Sequence, residues 1–326
     1  MAPLTIGLAG DVMLGRTLDT IISQRGYDYP WGDILPVMRN TDLNIVNLET
    51  TLTHNSKKVY KTFNFKASPD KVQSLVSANI GVVNLANNHI LDFKMEGLLE
   101  TIQTLDKSGI NHVGAGKKIE EALKAVVIRK KGVRIGVLGM TDNEPGWMAN
   151  GGAGTNYINI ADKEARIRIL HSIENLRKEA DMIIVSIHWG PNMKERPSPE
   201  FISFAHAMAD HGASVIHGHS AHIFQGVECY SNSLILYDTG DFVDDYVVDP
   251  DLRNDLSAFF ILTISKSGLL NARFVPVRIS QYQVNLARES DYVWVIKQMQ
   301  QLSAVFNTRI DEDEGFISTP HDPNHR

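Results

Sequence analysis

Short apolar runs alternate with amphipathic stretches along most of the chain, and this alternation predicts an α/β fold. Five apolar runs have the length of buried strands, and each leads directly into polar residues. They are LTIGLAG at 4–10, LNIVNLE at 43–49, GVVNLAN at 81–87, MIIVSIH at 182–188 and SVIHGH at 214–219.

Helical periodicity fills several of the segments between these runs. One helix is predicted over 93–107, with its apolar positions at Met95, Leu98, Leu99, Ile102 and Leu105. A second is predicted within 162–180. A third is predicted within 198–212, where Ser198 is a suitable N-cap and Gly212 a suitable C-cap.

The second half of the chain also contains antiparallel signals. Residues 125–140 predict a hairpin that turns at Lys131 and Gly132, and the runs between 233 and 279 predict an antiparallel section. There is no internal repeat and no sharp composition shift before about residue 280. We therefore predict one large domain over 1–285, with a C-terminal helix and a polar acidic tail over 286–326.

Composition narrows the classes of partner. The chain has 326 residues, 43% of them hydrophobic, which is enough for a sizeable core. A net charge of -6 and the lack of a Lys/Arg cluster argue against a nucleic-acid partner, and the acidic run at 311–315 is expected to be solvated. Cys229 is the single cysteine, so no intrachain disulfide forms. The N-terminus lacks the features of a signal peptide, and no apolar run reaches the roughly 20 residues of a membrane span. These features predict a cytoplasmic protein.

Polar side chains stand where the predicted strands end. They are Asp11, Asn47, Glu49, Asn88, His89, His188, His219 and, three residues further on, His222. In α/β sheets, ligands bind at the carboxyl ends of strands, because the loops there converge on one edge. Carboxylate, amide and imidazole donors without thiolate suit Mn, Fe or Zn. The pattern therefore predicts a divalent metal site with one or two ions.

Each of these residues also has a structural interpretation. Asp11 could cap the following helix, and His89 could be a hydrogen-bonded structural histidine. His217 shares a strand face with His219, so it is either a ligand or a partner that orients one. Asp92 could accept the second N–H of His89 or cap the next helix. Asn87 is expected to hold its loop through backbone hydrogen bonds.

The motifs GDVMLGR, NLET, NLANNHILDF, HWG and GHSAHIFQGVE, in this order, resemble the CapA family of poly-gamma-glutamate capsule proteins. That family belongs to the calcineurin-like metallophosphoesterase superfamily. The resemblance covers roughly residues 4 to 245, including KTFNFKASPD and LYDTGDFVDD. It implies a calcineurin-like metallophosphatase fold, a four-layer αββα sandwich with mixed sheets, whose metal site lies on one sheet edge. It also makes 1–285 the catalytic domain.

The resemblance assigns a role to each matching position. Asp11 and His222 would bind the first metal ion, and Glu49 would be the bridging carboxylate. Asn88, His188 and His219 would bind the second metal ion. His89 would be the general acid that protonates the leaving group. The resemblance gives no role to Asp92, which stays a candidate to orient His89 or to cap the next helix.

Three positions depart from the superfamily pattern. Met13 stands where Asp-x-His would place a histidine ligand, and the segment from Gly218 to His222 is one residue longer than Gly-His-x-His. Asp241 occupies the place of the asparagine in the usual Gly-Asn-Phe. The first metal position thus lacks one histidine, which predicts weaker occupancy there. If both positions bound metal equally tightly, Asp241 or His217 would have to take the place of the missing histidine ligand.

The predicted function is a metal-dependent hydrolase that acts on a phosphoester or an anionic glutamyl or peptide substrate. Arg16, Lys66 and Arg196 would bind the anionic groups of that substrate. The alternatives are a factor for the synthesis or assembly of a polyglutamate capsule, and a peptide-modifying enzyme that uses the same metal site. A binding module without catalysis is disfavoured, because metal storage needs no proton donor such as His89.

Overall fold

The structure, a computed structural model, describes residues 3–311 and 315–317. Residues 312–314 of the acidic run and the tail after 317 lie outside the described residues. The strands are β1 (Leu4–Val12), β2 (Leu43–Leu48), β3 (Thr51–Leu52), β4 (Lys66–Ala67), β5 (Ile80–Asn84), β6 (Asn111–Val113), β7 (Ala115–Gly116), β8 (Val126–Lys130), β9 (Val133–Thr141), β10 (Gly154–Thr155), β11 (Met182–His188), β12 (Val215–His219), β13 (Val227–Tyr230), β14 (Ser233–Leu236), β15 (Asp241–Val243), β16 (Leu256–Ser265), β17 (Gly268–Ser280), β18 (Gln283–Leu286) and β19 (Phe316–Ile317).

Helices connect many of these strands. The α-helices are α1 (Thr17–Arg25), α2 (Leu35–Arg39), α3 (Val72–Ser77), α4 (Lys94–Lys107), α5 (Ile119–Ala122), α6 (Lys163–Leu176), α7 (Pro199–Asp210) and α8 (Glu289–Ala304). Short 3₁₀ helices occupy Tyr29–Ile34, Pro69–Lys71 and Pro145–Trp147. Ser198 caps α7 by accepting a hydrogen bond from the backbone N–H of Phe201, as predicted, and Gly212 follows one residue after the C-cap.

Two mixed sheets form the centre of the fold. In the described residues, the first sheet has the order β18-β17-β16-β1-β2-β5-β6, with β15 paired to β1 and β19 to β17. The second has the order β13-β14-β12-β11-β9-β8. Strands β1, β2, β5 and β6 run parallel, as do β9, β11, β12 and β14. Their carboxyl ends therefore lie together at one edge of each sheet.

Side-chain alternation along the strands packs the two sheets face to face. Leu4, Ile6 and Leu8 of β1 join Met182 and Ile184 of β11 in the layer between the sheets. Successive side chains on a strand point to opposite faces, so every second residue of these strands enters this layer. Apolar side chains from both sheets therefore fill the space between them.

The outer faces of both sheets carry helices. Leu98 and Ile102 of α4 pack on Val46 and Val83 of the first sheet, within a cluster that also includes residues of α1 to α3. On the second sheet, Ile169 and Ile173 of α6 and Phe204 and Met208 of α7 pack against alternate residues of β11, which are Ile183, Val185 and Ile187. The architecture is the predicted four-layer αββα sandwich with mixed sheets.

The C-terminal helix packs into the same core. Val295, Ile296, Met299 and Leu302 of α8 are buried in the layer between the sheets, next to residues of β13, β16 and β17. The C-terminal helix predicted within 286–326 is therefore present, as α8. It closes one end of the sandwich.

The predicted antiparallel section is only partly present. Strands β16 and β17 pair antiparallel, and β14 of the run SLILYDTGD pairs antiparallel with β13, but β14 also runs parallel to β12, and β15 runs parallel to β1. Strand β14 is buried along its whole length, which is typical of a parallel strand covered on both faces. Between β14 and β15 the chain crosses from the second sheet to the first. Gly10 permits the close approach, because a Cβ atom there would lie 1.8 Å from the carbonyl oxygen of Gly240.

Candidate metal centre

The polar residues predicted at the strand ends meet where the carboxyl edges of the two sheets face each other. Parallel pairing sets His188 of β11 beside His219 of β12, with their Nδ1 atoms 3.0 Å apart. Asp11, at the end of β1, reaches them from the other sheet. Its Oδ1 lies 3.7 Å from Nδ1 of His188 and 3.8 Å from Nδ1 of His219. All three side chains are buried.

Asn88 and Glu49 complete this side of the centre. The Oδ1 atom of Asn88 lies 3.1 Å from Nε2 of His188, and Oε1 of Glu49 lies 3.8 Å from the same nitrogen. Glu49 is fully buried and extends from the end of β2. Its carboxylate therefore lies among groups contributed by both sheets.

A second group shares Asp11 and lies on its other side. Nδ1 of His222 lies 2.8 Å from Oδ1 of Asp241 and 3.4 Å from Oδ2 of Asp11. The ligand atoms of these three buried side chains lie within 4.8 Å of one another. His222 has a positive φ of 61°, which is strained backbone for a residue other than glycine. The fold thus holds its imidazole in this place at a conformational cost.

Several carboxylate oxygens of the centre have no hydrogen-bond partner and could be balanced by a bound cation. Oδ2 of Asp11, Oε1 of Glu49 and Oδ2 of Asp241 are buried and have no hydrogen-bond partner. Buried carboxylate oxygens are costly unless they are paired, hydrogen-bonded or bound to a metal ion. Convergent carboxylate, imidazole and amide donors fit a divalent transition metal such as Mn, Fe or Zn. The residues present therefore fit the predicted metal centre, and these buried Asp and His groups can hold an ion.

The titration behaviour of these groups agrees with a site for a cation. Burial and the nearby Asp11 raise the pKa of Glu49 to about 8. Burial lowers the pKa values of His188 and His219, so both are neutral imidazoles, the form that binds metals. Burial opposes the charge on His222, but Asp241 and Glu49 raise its pKa well above the usual range. In the metal-free protein His222 therefore carries a positive charge among these carboxylates, and it would lose that proton on binding a metal ion.

Asn47 and Asn87 organise the loops around these groups. Nδ2 of Asn47 donates to Oδ1 of Asp11 at 2.7 Å, and Oδ1 of Asn47 accepts from Nδ2 of Asn87 at 3.1 Å. Asn87 also donates to the backbone oxygen of Leu48 and accepts from the backbone N–H of His89. The interpretation of Asn87 as a residue that holds its loop is confirmed. The position of Asn47 at the end of β2 was recognised, but its role in orienting Asp11 was not.

His89 lies against the centre with a defined orientation. Its Nδ1 donates to Oδ2 of Asp92 at 2.6 Å, and its ring stacks on Phe65 with centroids 3.7 Å apart. Its Nε2 lies 4.0 Å from Oε1 of Glu49. Asp92 thus contacts His89, and the alternative that it caps the next helix is wrong, because Phe93 is the N-cap of α4 and makes no side-chain cap. The same reasoning removes the capping role of Asp11, since α1 begins only at Thr17.

His89 is neutral in the free protein. Burial lowers its pKa to about 4, although the hydrogen bond to Asp92 acts in the opposite direction. A neutral ring that donates from Nδ1 presents Nε2 as a proton acceptor. A negatively charged substrate beside the ring would raise this pKa, which is the direction that a general acid requires.

A cavity of about 340 Å³ opens beside His89. Its lining combines aromatic rings with polar groups of the centre. The lining residues are Arg16, Phe63, Phe65, Asn88, His89, Asn192, His222, Asp245, Tyr246 and Val247. A substrate in this cavity would contact Asn88, His89 and His222 together.

The three predicted substrate-binding cations have different positions. Arg16 lines the cavity, where its guanidinium lies over Phe63 and Phe65 and its Nε lies 3.4 Å from Asp245. Lys66 points elsewhere, because its Nζ donates to the backbone oxygen of Asn55. Arg196 is exposed, and neither Lys66 nor Arg196 is among the residues that line this cavity.

Two residues near the centre were not predicted. Lys61 donates to the backbone oxygen of Asn88, and its Nζ lies 3.4 Å from Oδ1 of Asp92. Lys61 is the first residue of the motif KTFNFKASPD, but only Lys66 of that motif was taken as a candidate cation. Tyr246 donates to Oε2 of Glu49 at 3.2 Å. It directly follows the motif LYDTGDFVDD, so extending that motif by one residue would have found it.

His217 lies next to the centre rather than in its two ligand groups. It is buried, and its nitrogens are 3.4 Å from the hydroxyls of Ser186 and Thr239. Its ring meets that of His219 edge to face, with centroids 5.3 Å apart. Ser186 also lies 3.0 Å from Nε2 of His219. This arrangement places His217 behind His219, as a residue that supports its orientation.

The two-sheet sandwich and the buried centre at its edge define the metallophosphoesterase-like class. The chain belongs to the family described as "Bacterial capsule synthesis protein PGA_cap", whose model matches residues 5–246. This confirms the resemblance to the CapA family. None of the helices in the described part of the chain has the length and apolarity that a bilayer crossing requires.

Relatives cover most of the chain. It is 32% identical to the "PGA biosynthesis protein CapA" of Bacillus subtilis, over 85% of this chain and 72% of that protein. It is 29% identical to a "Probable polyglutamine synthesis accessory protein" of Mycobacterium tuberculosis, over 94% of this chain and 93% of that protein. A crystal structure of a hypothetical protein from Thermus thermophilus matches with a TM-score of 0.50 and 13% identity, covering 84% of this chain and 98% of that one. That similarity concerns the fold alone.

Proposed function

We propose that this protein is a metal-dependent hydrolase of the metallophosphoesterase type that acts on an anionic substrate. One observation carries the proposal. Buried carboxylate oxygens without hydrogen-bond partners converge with neutral imidazoles next to Asn88 and His222, which line a cavity together with His89. A purely structural cluster would have its polar groups satisfied internally, whereas a metal centre leaves ligand atoms free.

Six side chains would hold the metal centre. They are Asp11, Glu49, Asn88, His188, His219 and His222. A divalent ion there would act as a Lewis acid and bring the pKa of a bound water close to 7. The buried surroundings strengthen each electrostatic interaction in the site.

His89 would transfer the proton. Asp92 fixes the ring by accepting from Nδ1, which leaves Nε2 as the available nitrogen of a ring that lines the cavity. An anionic substrate would raise the pKa of His89 and favour the protonated ring. From that state His89 would protonate the leaving group, and it would regain a proton afterwards through Nε2.

The cavity suits a substrate that combines negative charge with apolar surface. Arg16 presents its guanidinium to the cavity and can contact a phosphate or a carboxylate with two donors. Phe63, Phe65 and Tyr246 supply aromatic walls. Phosphoesters fit this description, and so do peptides with free glutamyl carboxylates.

The names of the relatives favour the glutamyl class as a second candidate. Curated relatives are named for the biosynthesis of PGA, capsule or polyglutamine. We therefore propose a polyglutamate-related role as the biological setting, in which the same site cleaves or modifies a glutamyl polymer, or assists its synthesis and assembly. The substrate is expected to be a small molecule, a peptide or a polyglutamate.

A substrate panel tests this proposal. Chelator-treated protein would be supplied with Mn²⁺, Fe²⁺ or Zn²⁺ and assayed on phosphomonoesters, phosphodiesters and γ-glutamyl peptides. We expect hydrolysis of at least one class, dependent on metal and absent in Asp11→Ala. His171→Ala, which changes an exposed histidine of α6 that is not part of the centre, serves as the matched control. Hydrolysis that is equal in stripped and reloaded protein, or absent from every class, would contradict the proposal.

A further inference from the structure

We propose that Asp241 replaces the histidine missing at position 13, and that the two metal positions therefore differ in chemical hardness. Asp11, Asp241 and His222 would form an oxygen-rich position for a hard ion such as Mn²⁺. His188 and His219 with Asn88 would form an imidazole-rich position that prefers Zn²⁺. The inference rests on the proposed function only for the existence of a metal centre, and not on hydrolysis.

Met13 is unsuited to the role of a ligand. Its side chain is fully buried, and its sulfur accepts a hydrogen bond from the backbone N–H of Gly15 at 3.1 Å. A thioether is also a soft donor, which suits Cu(I) better than Mn or Zn. The first position therefore has no histidine from β1, and another side chain has to provide the third ligand.

The fold carries Asp241 to that place. Strands β1 and β15 pair in parallel, and their register sets Asp241 directly beside Asp11. The backbone N–H of Asp11 donates to the carbonyl oxygen of Gly240, which fixes the two strand ends together. Asp241 therefore starts from the same sheet edge as Asp11 and points its carboxylate at the same position.

The spacing of the three groups is that of neighbouring ligands. Metal–ligand bonds of about 2.1 Å at right angles put adjacent donor atoms about 3.0 Å apart. Nδ1 of His222 lies 2.8 Å from Oδ1 of Asp241 and 3.4 Å from Oδ2 of Asp11. The ligand atoms of all three side chains lie within 4.8 Å of one another, so that one ion could contact all of them.

The second carboxylate oxygen of Asp241, Oδ2, favours a role as a metal ligand over a role that only orients His222. A carboxylate that only orients His222 needs one oxygen, and Oδ1 would suffice. Oδ2 of Asp241 is buried without a hydrogen-bond partner, as is Oδ2 of Asp11. Asparagine, the residue that the family usually has at this position, would orient His222 equally well but would carry no charge. Aspartate adds the negative charge that a hard divalent ion favours.

Competitive loading with two metals tests the inference. Chelator-treated protein would receive one equivalent each of Zn²⁺ and Mn²⁺, with bound Mn²⁺ followed by electron paramagnetic resonance and Zn²⁺ by elemental analysis. We expect wild type to bind both. Asp241→Asn keeps the acceptor for His222 and should weaken Mn²⁺ binding by at least roughly 100-fold, the upper end of the cost of losing an outer partner. It should retain Zn²⁺.

Two further variants make the result specific. His188→Ala should show the reciprocal loss, keeping Mn²⁺ and losing Zn²⁺. Asp244→Asn is the matched control, because Asp244 is a buried carboxylate three residues away that accepts from the backbone N–H of Tyr246. It should bind both metals as wild type does.

The opposite results would overturn the inference. Unchanged Mn²⁺ affinity in Asp241→Asn would show that Asp241 only orients His222. An equal loss of Mn²⁺ affinity in Asp244→Asn would show that the effect comes from the change in net charge and not from a lost ligand. Loss of both metals in Asp241→Asn, with an unchanged melting temperature, would contradict two separate positions. Two-metal binding without hydrolysis of any substrate would leave this inference standing and remove the proposed function.

Discussion

His89 is the side chain on which the proposed reaction depends most. Its Nδ1 is engaged by Asp92 and its ring by Phe65, so that Nε2 alone is available to a substrate. The structure explains why a histidine follows directly after Asn88. Asn88 contributes its oxygen to the centre, and the next residue of the same turn reaches the adjacent cavity.

We predict that His89→Ala keeps its metal and its fold but loses proton transfer. A general acid accelerates the departure of a poor leaving group and does little for a good one. The rate should therefore fall by roughly 10²–10⁴-fold on an alkyl phosphoester and much less on a nitrophenyl ester. The two rates, the metal content and the melting temperature would be measured on the same preparation. Equal rate losses on both esters, together with a lower melting temperature, would make His89 a structural histidine.

Single residues at strand ends were predictable because they interrupt apolar runs. Asp11, Glu49 and His188 each follow buried strands, and position in a sheet then determines which of them meet. Lys61 was not predictable in this way. It reaches Asn88 across a loop, and no local pattern encodes a contact between residues 27 positions apart.

Among the elements, the loop between β3 and β4 has the closest relation to the centre. It carries Phe63 and Phe65 into the cavity wall and Lys61 onto Asn88 and Asp92. Lys61 also lies 3.5 Å from Glu144 and 4.9 Å from the ring centroid of Trp147. The loop is thereby fixed to the turn that holds His89.

We predict that Lys61→Met slows hydrolysis roughly tenfold, within the range for loss of an outer hydrogen-bond partner. Methionine keeps the apolar stem but leaves the carbonyl of Asn88 and the carboxylate of Asp92 without their ammonium partner. Lys61→Arg should recover most of the rate, and Lys58→Met, an exposed lysine of the same loop, should have no effect. The readouts are kcat and the melting temperature. A fall in melting temperature with unchanged kcat would make Lys61 a structural residue only.

The strands and helices were largely predictable, and the exceptions have a clear cause. Nearly continuous apolar runs in β1 and β11 reflect burial on both faces, which the local sequence shows directly. Pairing direction is a non-local property, so the parallel placement of β14 and β15 could not be derived from SLILYDTGD itself. That placement is what brings Asp241 beside Asp11.

At the scale of the whole molecule, the sandwich buries acidic groups at one edge, where burial opposes their ionisation. Glu49 and Asp238 are buried, and burial is the main reason that the pKa of each rises to about 8. The usual values are 4.5 and 3.8. A carboxylic acid whose pKa is raised in the folded state stabilises the fold at low pH, and this contribution is lost as pH rises through the folded value.

We therefore predict that metal-free protein becomes less stable as pH rises from about 7 to above 8, a range that lies above the usual pKa, about 6.5, of the histidines that burial keeps neutral. Between these values the folded protein binds more protons than the unfolded chain, so the free energy of unfolding falls with pH. Bound metal would compensate the ionised carboxylates, and the stabilisation by metal should be larger at pH 8.5 than at pH 6. Melting temperatures of stripped and loaded protein across this range measure the effect. A stripped protein that gains stability over the same range would contradict the charge balance described here.

The most direct test of the central claim is the metal content of the purified protein and its histidine variants. Elemental analysis would compare wild type, His188→Ala, His219→Ala and the control His171→Ala after identical purification without added metal. The account predicts at least one Mn, Fe or Zn ion per chain in wild type and in His171→Ala, and a clear loss in both His188→Ala and His219→Ala. Full metal content in these two variants, or none in wild type even after reloading, would show that the strand ends do not form a metal centre.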